Sequence, residues 1–256
     1  FDVERFKIDR AKDVKPATVN RSLAVLKSMF NRAIVWDKAS NNPCKAVKLF
    51  KENNQRLRFL EQEEIPKLLS ECCAHLKPIV VLAINTGMRK GEILRLKWHD
   101  IDFKRDIIHL YETKNGEKRE VPLNAIAKRT LIAVPKHPDS SYIFCDKKGQ
   151  SYGDIKKSFL TAIGKSGIID FHFHDLRHTF ASQLVMGGVD LNTVRELLGH
   201  KSLEMTLRYS HLSPDHKKRA VDVLSNRMGT IWSQKPVTEK SENPTVTKVF
   251  ENTVVT

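Results

Sequence analysis

Six residues between positions 89 and 209 carry side chains that suit chemistry on a phosphate diester. They supply two guanidiniums, one amine, two imidazoles and one phenol, from Arg89, Lys114, His174, Arg177, His200 and Tyr209. Cleavage of a phosphodiester needs a nucleophile, positive charge near the non-bridging oxygens and a proton for the departing oxygen. The six side chains offer a candidate for each of these needs.

The candidates for binding the phosphate are two arginines and one histidine. The planar guanidiniums of Arg89 and Arg177 can hold a phosphate bidentately, which a lysine does poorly. His200 can donate a further hydrogen bond to the same oxygens. These three side chains are therefore predicted to surround one phosphate group.

The remaining candidates are a phenol and the groups that would accept or donate protons during the reaction. Tyr209 is the candidate nucleophile, and an unperturbed phenol has a pKa of about 10, so it needs help to lose its proton. His174, or the positive charge of the cluster, can give that help. Lys114 is the candidate general acid toward the departing 5′ oxygen.

Short sequence blocks surround these residues in a fixed order. In order and spacing they resemble the catalytic domain of the tyrosine recombinases, the phage integrase family, over about Leu57 to Val221. The blocks are Thr86-Gly87-Met88-Arg89-Lys90-Gly91-Glu92, His174-Asp175-Leu176-Arg177-His178, Leu197-Leu198-Gly199-His200 and, nine positions after His200, Tyr209.

This resemblance implies a function and a set of partners. It implies a site-specific DNA recombinase or integrase that cleaves and rejoins DNA through a 3′-phosphotyrosine, with neither metal nor other cofactor. The implied partners are double-stranded DNA, a homotetramer on two DNA sites and accessory DNA-bending proteins. Two other functions fit the same residues: a type IB-like topoisomerase, and a basic DNA-binding protein that has lost its activity.

For three residues that lie close in sequence to these candidates, we prefer a structural role to a chemical one. Glu92, one turn after Arg89, is expected to orient and neutralise that arginine. Asp175 and His178 are expected to make local hydrogen bonds. None of the three is assigned a chemical role from the sequence.

The charge of the chain favours a polyanion as partner. Its 256 residues include 44 Lys and Arg against 30 Asp and Glu, a formal net charge of +14. Residues 1–58 alone hold 14 basic and 6 acidic residues. A well-solvated helical surface has a similar composition, so the charge supports nucleic-acid binding without establishing it.

Cysteine usage and hydropathy narrow the class of protein. The four cysteines form no CxxC pair and accompany no signal peptide, so we expect reduced thiols rather than zinc sites or disulfides. The sequence has no apolar stretch long enough to cross a bilayer. We therefore expect a soluble, cytoplasmic protein without a membrane partner.

Apolar periodicity predicts a mainly helical α+β fold with a small three-stranded antiparallel sheet. The Asn115-Gly116 pair predicts a hairpin turn that places Lys114 at the tip of the sheet. Ser202 is expected to cap a helix that bears Tyr209. The other helices are predicted over Pro16 to Trp36, Glu63 to Cys73, Lys77 to Asn85, from near Arg89, His174 to Met186 and Leu191 to Leu198, and the strands over Trp98 to Ile101, Ile107 to Tyr111 and Arg119 to Leu123.

The domain division follows from a polar stretch around residue 55. We expect a partial helical core DNA-binding domain over 1–50, a linker over 51–58, a catalytic domain over 59–226 and a C-terminal tail over 227–256. The helix from Pro16 to Trp36 resembles the last part of the family's N-terminal DNA-clamping domain. Few residues precede it and the chain begins with Phe1, so we expect an incomplete clamp and a truncated or processed start.

Overall fold

The structure, a computed structural model, is mainly helical with one small sheet. It describes residues 2–52, 56–111, 118–213, 221–226 and 228. The predicted fold class is confirmed. The helices with assigned bounds are α1 (Asp2–Asp13), α2 (Pro16–Val35), α3 (Glu64–Glu71), α4 (Leu76–Thr86), α5 (Lys90–Leu94), α6 (Ala125–Ala133), α7 (Lys156–Ser166), α8 (Asp175–Met186), α9 (Leu191–Leu198) and α10 (Glu204–Leu207).

The sheet is antiparallel and follows chain order. β1 (Ile101–Asp102) pairs with β2 (Ile107–Leu110), and β2 pairs with β3 (Arg119–Pro122). Ile108 lies opposite Val121, and both side chains are buried. The hairpin that the sequence predicts at Asn115-Gly116, and Lys114 with it, lie outside the described residues.

Helix α4 lies at the centre of the larger hydrophobic core. Its sequence is apolar nearly all round, which predicts a buried helix, and it packs against α3, α5, α6 and α8. Leu76, Ile79 and Leu82 are fully buried. Gly87 ends α4 with a φ of 62°, a left-handed conformation that glycine adopts without steric cost.

Helix α8 joins this core to a second one. Leu176 belongs to the larger core, and the smaller cluster consists of Ala181, Val185, Val194, Leu198 and Tyr209. Five polar side chains of α8 are buried as well, which is costly unless they are hydrogen-bonded. They are Asp175, Arg177, His178, Thr179 and Ser182.

The start and end of α9 agree with the sequence. The side chain of Asp190 accepts hydrogen bonds from the backbone N–H groups of Asn192 and Thr193, as an N-cap does. Gly199 ends the helix with a φ of 62°. The predicted boundaries of α9 are therefore confirmed, and His200 follows directly after its C-terminal glycine.

The N-terminal segment contains a helix that the sequence analysis did not predict. Helix α1 has few apolar residues, and two ion pairs along it, Lys7 with Glu4 and Lys12 with Asp9, help to support it. Lys7 is nearly buried, with its ammonium 4.8 Å from the ring centroid of Phe50. A highly charged helix of this kind gives only a weak periodic signal.

Two local predictions are wrong. Residues Trp98–Asp100 form a 3-10 helix rather than a strand, because the Asp100 carboxylate accepts a hydrogen bond from the Lys97 N–H and so competes with strand pairing. Ser202 does not cap α10, whose N-cap is Leu203, and no side-chain bond caps it. The helix also ends at Leu207, so Tyr209 lies in the turn between α10 and a 3-10 helix over Ser210–Leu212.

A buried hydroxyl connects the segment before α3 to α8. Thr179 Oγ1 accepts a hydrogen bond from the Leu60 N–H at 2.9 Å and donates one to the Asp175 carbonyl, and both Thr179 and Leu60 are fully buried. Replacing Thr179 with the isosteric valine leaves the Leu60 N–H without a partner, which costs about 2 kcal/mol of unfolding free energy.

Urea unfolding and amide exchange test this bond. Thr179→Ser keeps both hydrogen bonds and loses one methyl, at a cost of about 0.8 kcal/mol, so it serves as the matched control. The Leu60 amide should exchange faster in Thr179→Val only. Equal protection of that amide in both variants would contradict the assignment.

Candidate active site

A cleft of about 660 Å³ opens between the start of α8, the α9–α10 loop and the turn after α10. Four of the six predicted residues line it: His174, Arg177, His200 and Tyr209. His178, Arg208 and His211 lie in the same wall. The fold therefore brings a phenol, a guanidinium and several imidazoles to one place.

Arg177 is the most deeply buried cation of this cleft. It is 3% exposed, and its guanidinium connects the C-terminal ends of two helices. Nη1 donates to the Gly87 carbonyl after α4 at 2.7 Å, and Nη2 donates to the Leu198 carbonyl at the end of α9 at 2.5 Å. Carbonyls at helix C-termini lack intrahelical partners and favour a cation. A guanidinium has five N–H donors, so Arg177 retains donors for a ligand.

Arg89 is held at the start of α5 by Glu92. Its Nη1 donates to Glu92 Oε1 at 2.8 Å, and its backbone N–H donates to Oε2 at 2.9 Å. Its side chain is about a third exposed, whereas the Glu92 side chain is 7% exposed. The prediction that Glu92 orients and neutralises Arg89 is confirmed.

Arg119 is a third arginine of this cluster, and the sequence analysis did not assign it a role. It projects from β3, and its Nη2 donates to Glu92 Oε2 at 3.0 Å. Its Nη1 donates to the same Leu198 carbonyl that Arg177 contacts. Arg119 therefore joins the sheet, the Arg89 helix and the end of α9.

Burial and mutual repulsion set the electrostatics of the cluster. Burial, followed by the charges of Arg89 and Arg119, lowers the pKa of Arg177 to about 9, although Glu92 opposes the shift. Burial also lowers the pKa of Arg119, with Arg89 contributing. The guanidiniums thus carry more positive charge than Glu92 neutralises, and an anion placed among them would be stabilised.

Burial, together with the same positive charge, lowers the pKa values of the nearby imidazoles. Burial, and then Arg177 and Arg89, lower the pKa of His200 to about 4. Burial and Arg177 likewise lower the pKa of His174. His200 Nδ1 lies 2.9 Å from Thr206 Oγ1. When the threonine hydroxyl donates to Nδ1, the N–H is on Nε2 and can donate to a ligand.

Tyr209 is buried and bonded to a histidine from α8. It is 1% exposed, and its Oη lies 2.5 Å from His178 Nδ1. Burial raises the pKa of Tyr209 to about 12, against the opposing charges of Arg208 and Arg177. The prediction of a local hydrogen bond for His178 is wrong, because its side chain bonds to Tyr209, which lies 31 positions further along the chain. Asp175 does make the expected local bond, from the His172 N–H at 2.8 Å, and it also binds Arg56.

These residues differ in how far their positions could be predicted from the sequence. His178 directly follows Arg177 in a motif already singled out, so its proximity to the cluster was foreseeable, but its partner depended on the tertiary fold. Arg119 lies in a short strand among several other basic residues, and nothing in its local sequence distinguishes it. Lys114 lies outside the described residues.

Three further features of the described residues concern metal ions, membranes and a second cavity. None of their His, Cys, Asp and Glu side chains gather in a group of three or more that could hold a metal ion. None of their helices has the length and apolarity that a membrane span requires. A larger cavity, about 720 Å³, lies between α4, α6 and the 135–147 loop, and its lining is mainly apolar.

Comparisons of sequence connect this chain to known proteins. A model of the phage integrase family matches residues 58–216. The integrase of Salmonella phage P22 is 31% identical over 236 aligned residues, which cover 86% of this chain and 60% of that protein. The tyrosine recombinase XerC of Bacillus pumilus is 32% identical over 222 aligned residues, 79% of this chain and 72% of that protein.

A comparison of structures supports the fold. The Tn1549 transposon integrase, solved in complex with a circular intermediate DNA, matches with a TM-score of 0.69 at 20% identity, over 87% of this chain and 84% of that chain. At this identity the likeness concerns the fold alone, and it confirms the predicted one. The chain spans less than two thirds of the length of the phage P22 integrase.

The glycine before His200 provides a stability test of the cluster. A Cβ on Gly199 would lie 2.5 Å from Arg119 Nη1 and 2.8 Å from its Cδ, in addition to the left-handed φ of 62°. Gly167, at the end of α7, has a φ of 70°, and among the described residues no atom lies within 4 Å of such a Cβ. Gly167→Ala should cost about 1 kcal/mol from backbone strain alone.

Gly199→Ala should cost roughly 2–3 kcal/mol, because it adds displacement of Arg119 to the same strain. Urea unfolding of the two variants measures the difference. If both variants lose the same unfolding free energy, Arg119 is not fixed at the end of α9 as described.

The lowered pKa of Glu92 predicts how the stability of the protein changes at low pH. Burial alone would raise its pKa, but Arg119 and the hydrogen bonds from Arg89 outweigh burial and lower it. A carboxylate with a lowered folded pKa stabilises the protein above its unfolded pKa of about 4.3, and that stability is lost as pH falls through the folded value. The protein should therefore lose stability below about pH 4.3.

Glu92→Gln should reduce the unfolding free energy by about 3 kcal/mol at pH 7 and should flatten its fall in acid. Glu120→Gln, which changes a more exposed carboxylate on β3, is the matched control. In this variant the unfolding free energy should fall as steeply at low pH as in the unaltered protein. If the unfolding free energy of Glu92→Gln falls just as steeply at low pH, protonation of Glu92 is not the cause of the loss of stability in acid.

Proposed function

This chain belongs to the phage integrase family, the tyrosine recombinases, and from that membership we propose that it is a site-specific DNA recombinase or integrase. We propose that it cleaves and rejoins DNA through a 3′-phosphotyrosine at Tyr209. The observation that carries the proposal is the cleft in which Tyr209 meets Arg177, His174 and His200. A phenol enclosed by phosphate-binding groups suits nucleophilic attack on a phosphodiester.

In the proposed reaction the scissile phosphate lies among the guanidiniums of Arg89 and Arg177, with His200 donating to a non-bridging oxygen. Tyr209 Oη forms a bond to phosphorus as the bond from phosphorus to the 5′ oxygen breaks. The departing oxygen takes a proton, which we assign to Lys114, and leaves as a 5′-hydroxyl. His174, at the start of α8, remains a candidate for contacting the phosphate or for accepting a proton.

The excess positive charge supports this arrangement energetically. Arg177 is buried and its pKa is lowered to about 9 by burial and by the neighbouring arginines. A phosphate would relieve that repulsion, and the greater negative charge of the pentavalent transition state would relieve it further. Binding energy that grows toward the transition state accelerates the reaction.

The proposal extends to partners and location. The relatives are named integrases and a tyrosine recombinase, and the similar Tn1549 protein was solved with DNA. We propose double-stranded DNA as substrate, a homotetramer on two DNA sites and accessory DNA-bending proteins. We also propose a cytoplasmic location, together with the DNA on which the protein is proposed to act. We also propose the division into a DNA-binding segment over 1–50, a linker over 51–58, a catalytic domain over 59–226 and a tail over 227–256.

Covalent capture on a nicked DNA substrate tests the nucleophile. The short fragment released beside the nick cannot religate, so the adduct accumulates. Tyr209→Phe removes only the phenolic oxygen and should abolish the adduct, while DNA affinity changes by less than about twofold because the oxygen is not a phosphate-binding group. Denaturing gels measure the adduct, and fluorescence anisotropy measures the affinity.

Tyr111→Phe is the matched control, since Tyr111 is about half exposed and lies outside the cleft. It should form the adduct at the rate of the unaltered protein. Adduct formation by Tyr209→Phe would contradict the assignment. Relaxation of supercoiled DNA without exchange between two sites would favour a topoisomerase, and DNA binding without any adduct would favour an inactive binding protein.

A further inference from the structure

We propose that His178 is a catalytic residue of this site, and that its Nδ1 accepts the phenolic proton of Tyr209 during attack. The proposal rests on the function proposed above and assigns a residue to its proton transfer. As the bond from Tyr209 Oη to phosphorus forms, the O–H bond breaks and the proton moves to His178. As the phosphate returns to the DNA, His178 gives the proton back.

The geometry is that of a donor and an acceptor already in contact. Tyr209 Oη lies 2.5 Å from His178 Nδ1, and the ring centroids are 5.8 Å apart. A base must lie within hydrogen-bond reach of the proton that it removes. Tyr209 is 1% exposed and His178 is 7% exposed, so bulk water has little access to this contact. The nearest route for the proton is the imidazole.

The protonation states before the reaction favour this direction of transfer. Burial, and then His174 and Arg208, lower the pKa of His178 to about 4, so its imidazole is neutral at pH 7. Tyr209, with its pKa raised by burial, keeps its proton. A phenol facing a neutral imidazole donates to the free nitrogen, which places the imidazole N–H on Nε2. The starting state is therefore a phenol hydrogen-bonded to an available base.

A bound phosphate changes this balance in the required direction. The charged and titratable groups that act on His178 are His174, Asp175 and Arg177 from α8 and its N-cap, and Arg208 beside Tyr209. Of these, Arg177 and Arg208 lower its pKa and Asp175 raises it. A phosphate near the two arginines offsets their charge and makes the imidazole more basic. Formation of the ester at the same moment makes the phenol more acidic.

His174 is the competing acceptor that the sequence suggested. Its ring lies edge-on to that of His178, with centroids 5.2 Å apart and planes at 90°. The hydrogen bond that the structure gives Tyr209 Oη goes to His178. His174 is exposed whereas His178 is buried, so His174 is more accessible to a phosphate and suits a contact with it.

The experiment compares single-turnover adduct formation on a nicked duplex. His178→Asn leaves an amide that can accept a hydrogen bond from Tyr209 but cannot take its proton, and we expect a rate at least about 100-fold lower. DNA affinity should stay within about twofold, because His178 is not assigned to the phosphate. His99→Asn, at an exposed histidine on the 3-10 helix, is the control and should react at the normal rate. His178→Gln provides a second variant if the asparagine variant does not fold.

Two rescues separate proton acceptance from simple positioning. A ring-fluorinated tyrosine at position 209 has a more acidic phenol and needs a base less, so it should recover much of the rate lost in His178→Asn. A substrate with sulfur in place of the bridging 5′ oxygen has a leaving group that needs no proton, and it should not recover that rate. This pattern places His178 on the nucleophile side of the reaction.

Other patterns overturn the inference. A normal rate in both His178 variants would overturn it, as would an equal loss with the ordinary and fluorinated tyrosines, which marks a structural role. Recovery with the sulfur substrate would assign His178 to the leaving group instead. If the unaltered protein forms an adduct and the His178 variants form it equally fast, the proposed function stands without this inference. If the unaltered protein forms none, both fail.

Discussion

Repulsion among three clustered arginines, one of them buried, is the constraint on which this structure depends. Arg177 is almost fully buried, Arg119 lies beside it at the Leu198 carbonyl, and Glu92 joins Arg89 to Arg119. One carboxylate and two helix-terminal carbonyls hold these cations in place. Burial and, after it, the charges of Arg89 and Arg119 lower the pKa of Arg177 to about 9. Such a cluster costs stability in the free protein, and an anion would recover that cost. This destabilising cluster lies beside the cleft, which Arg177 lines.

The fold brings these charges together through the ends of its helices. Glycines end α4 and α9 in the left-handed conformation, and the carbonyls of Gly87 and Leu198 at these ends accept from Arg177. The proposed nucleophile is held differently, because Tyr209 lies in a turn after a four-residue helix and is fixed by burial and by His178. The proposed phosphate-binding arginine Arg177 is thus held by the ends of two longer helices, whereas Tyr209 is held in the smaller core by a short element. Short elements with few contacts open locally at low free-energy cost.

Much of this arrangement could be predicted from the sequence. Periodicity located α4, α8 and α9, and the ordered motifs identified His174, Arg177, His200 and Tyr209, which the fold then brought into one cleft. Cap chemistry predicted both ends of α9. The contact between His178 and Tyr209 could not be predicted, since it joins elements 31 positions apart through packing of a second core. The role of Arg119 could not be predicted, because only its partners in the fold, Glu92 and Leu198, distinguish it from the other basic residues near it in the sequence. Strand prediction failed at Trp98–Asp100, where a local side-chain bond outweighed β propensity.

The most direct test of the central claim is the pKa of His200, measured by NMR on histidine-labelled protein, with and without an uncleaved DNA site bound to the Tyr209→Phe variant. His200→Asn assigns the signal. Burial and the charges of Arg177 and Arg89 lower this pKa to about 4 in the free protein. If a phosphate occupies the cluster, those charges are offset and the pKa of His200 must rise when DNA binds. A pKa of His200 that stays the same in the complex would contradict the claim that the arginines are gathered to receive the phosphate.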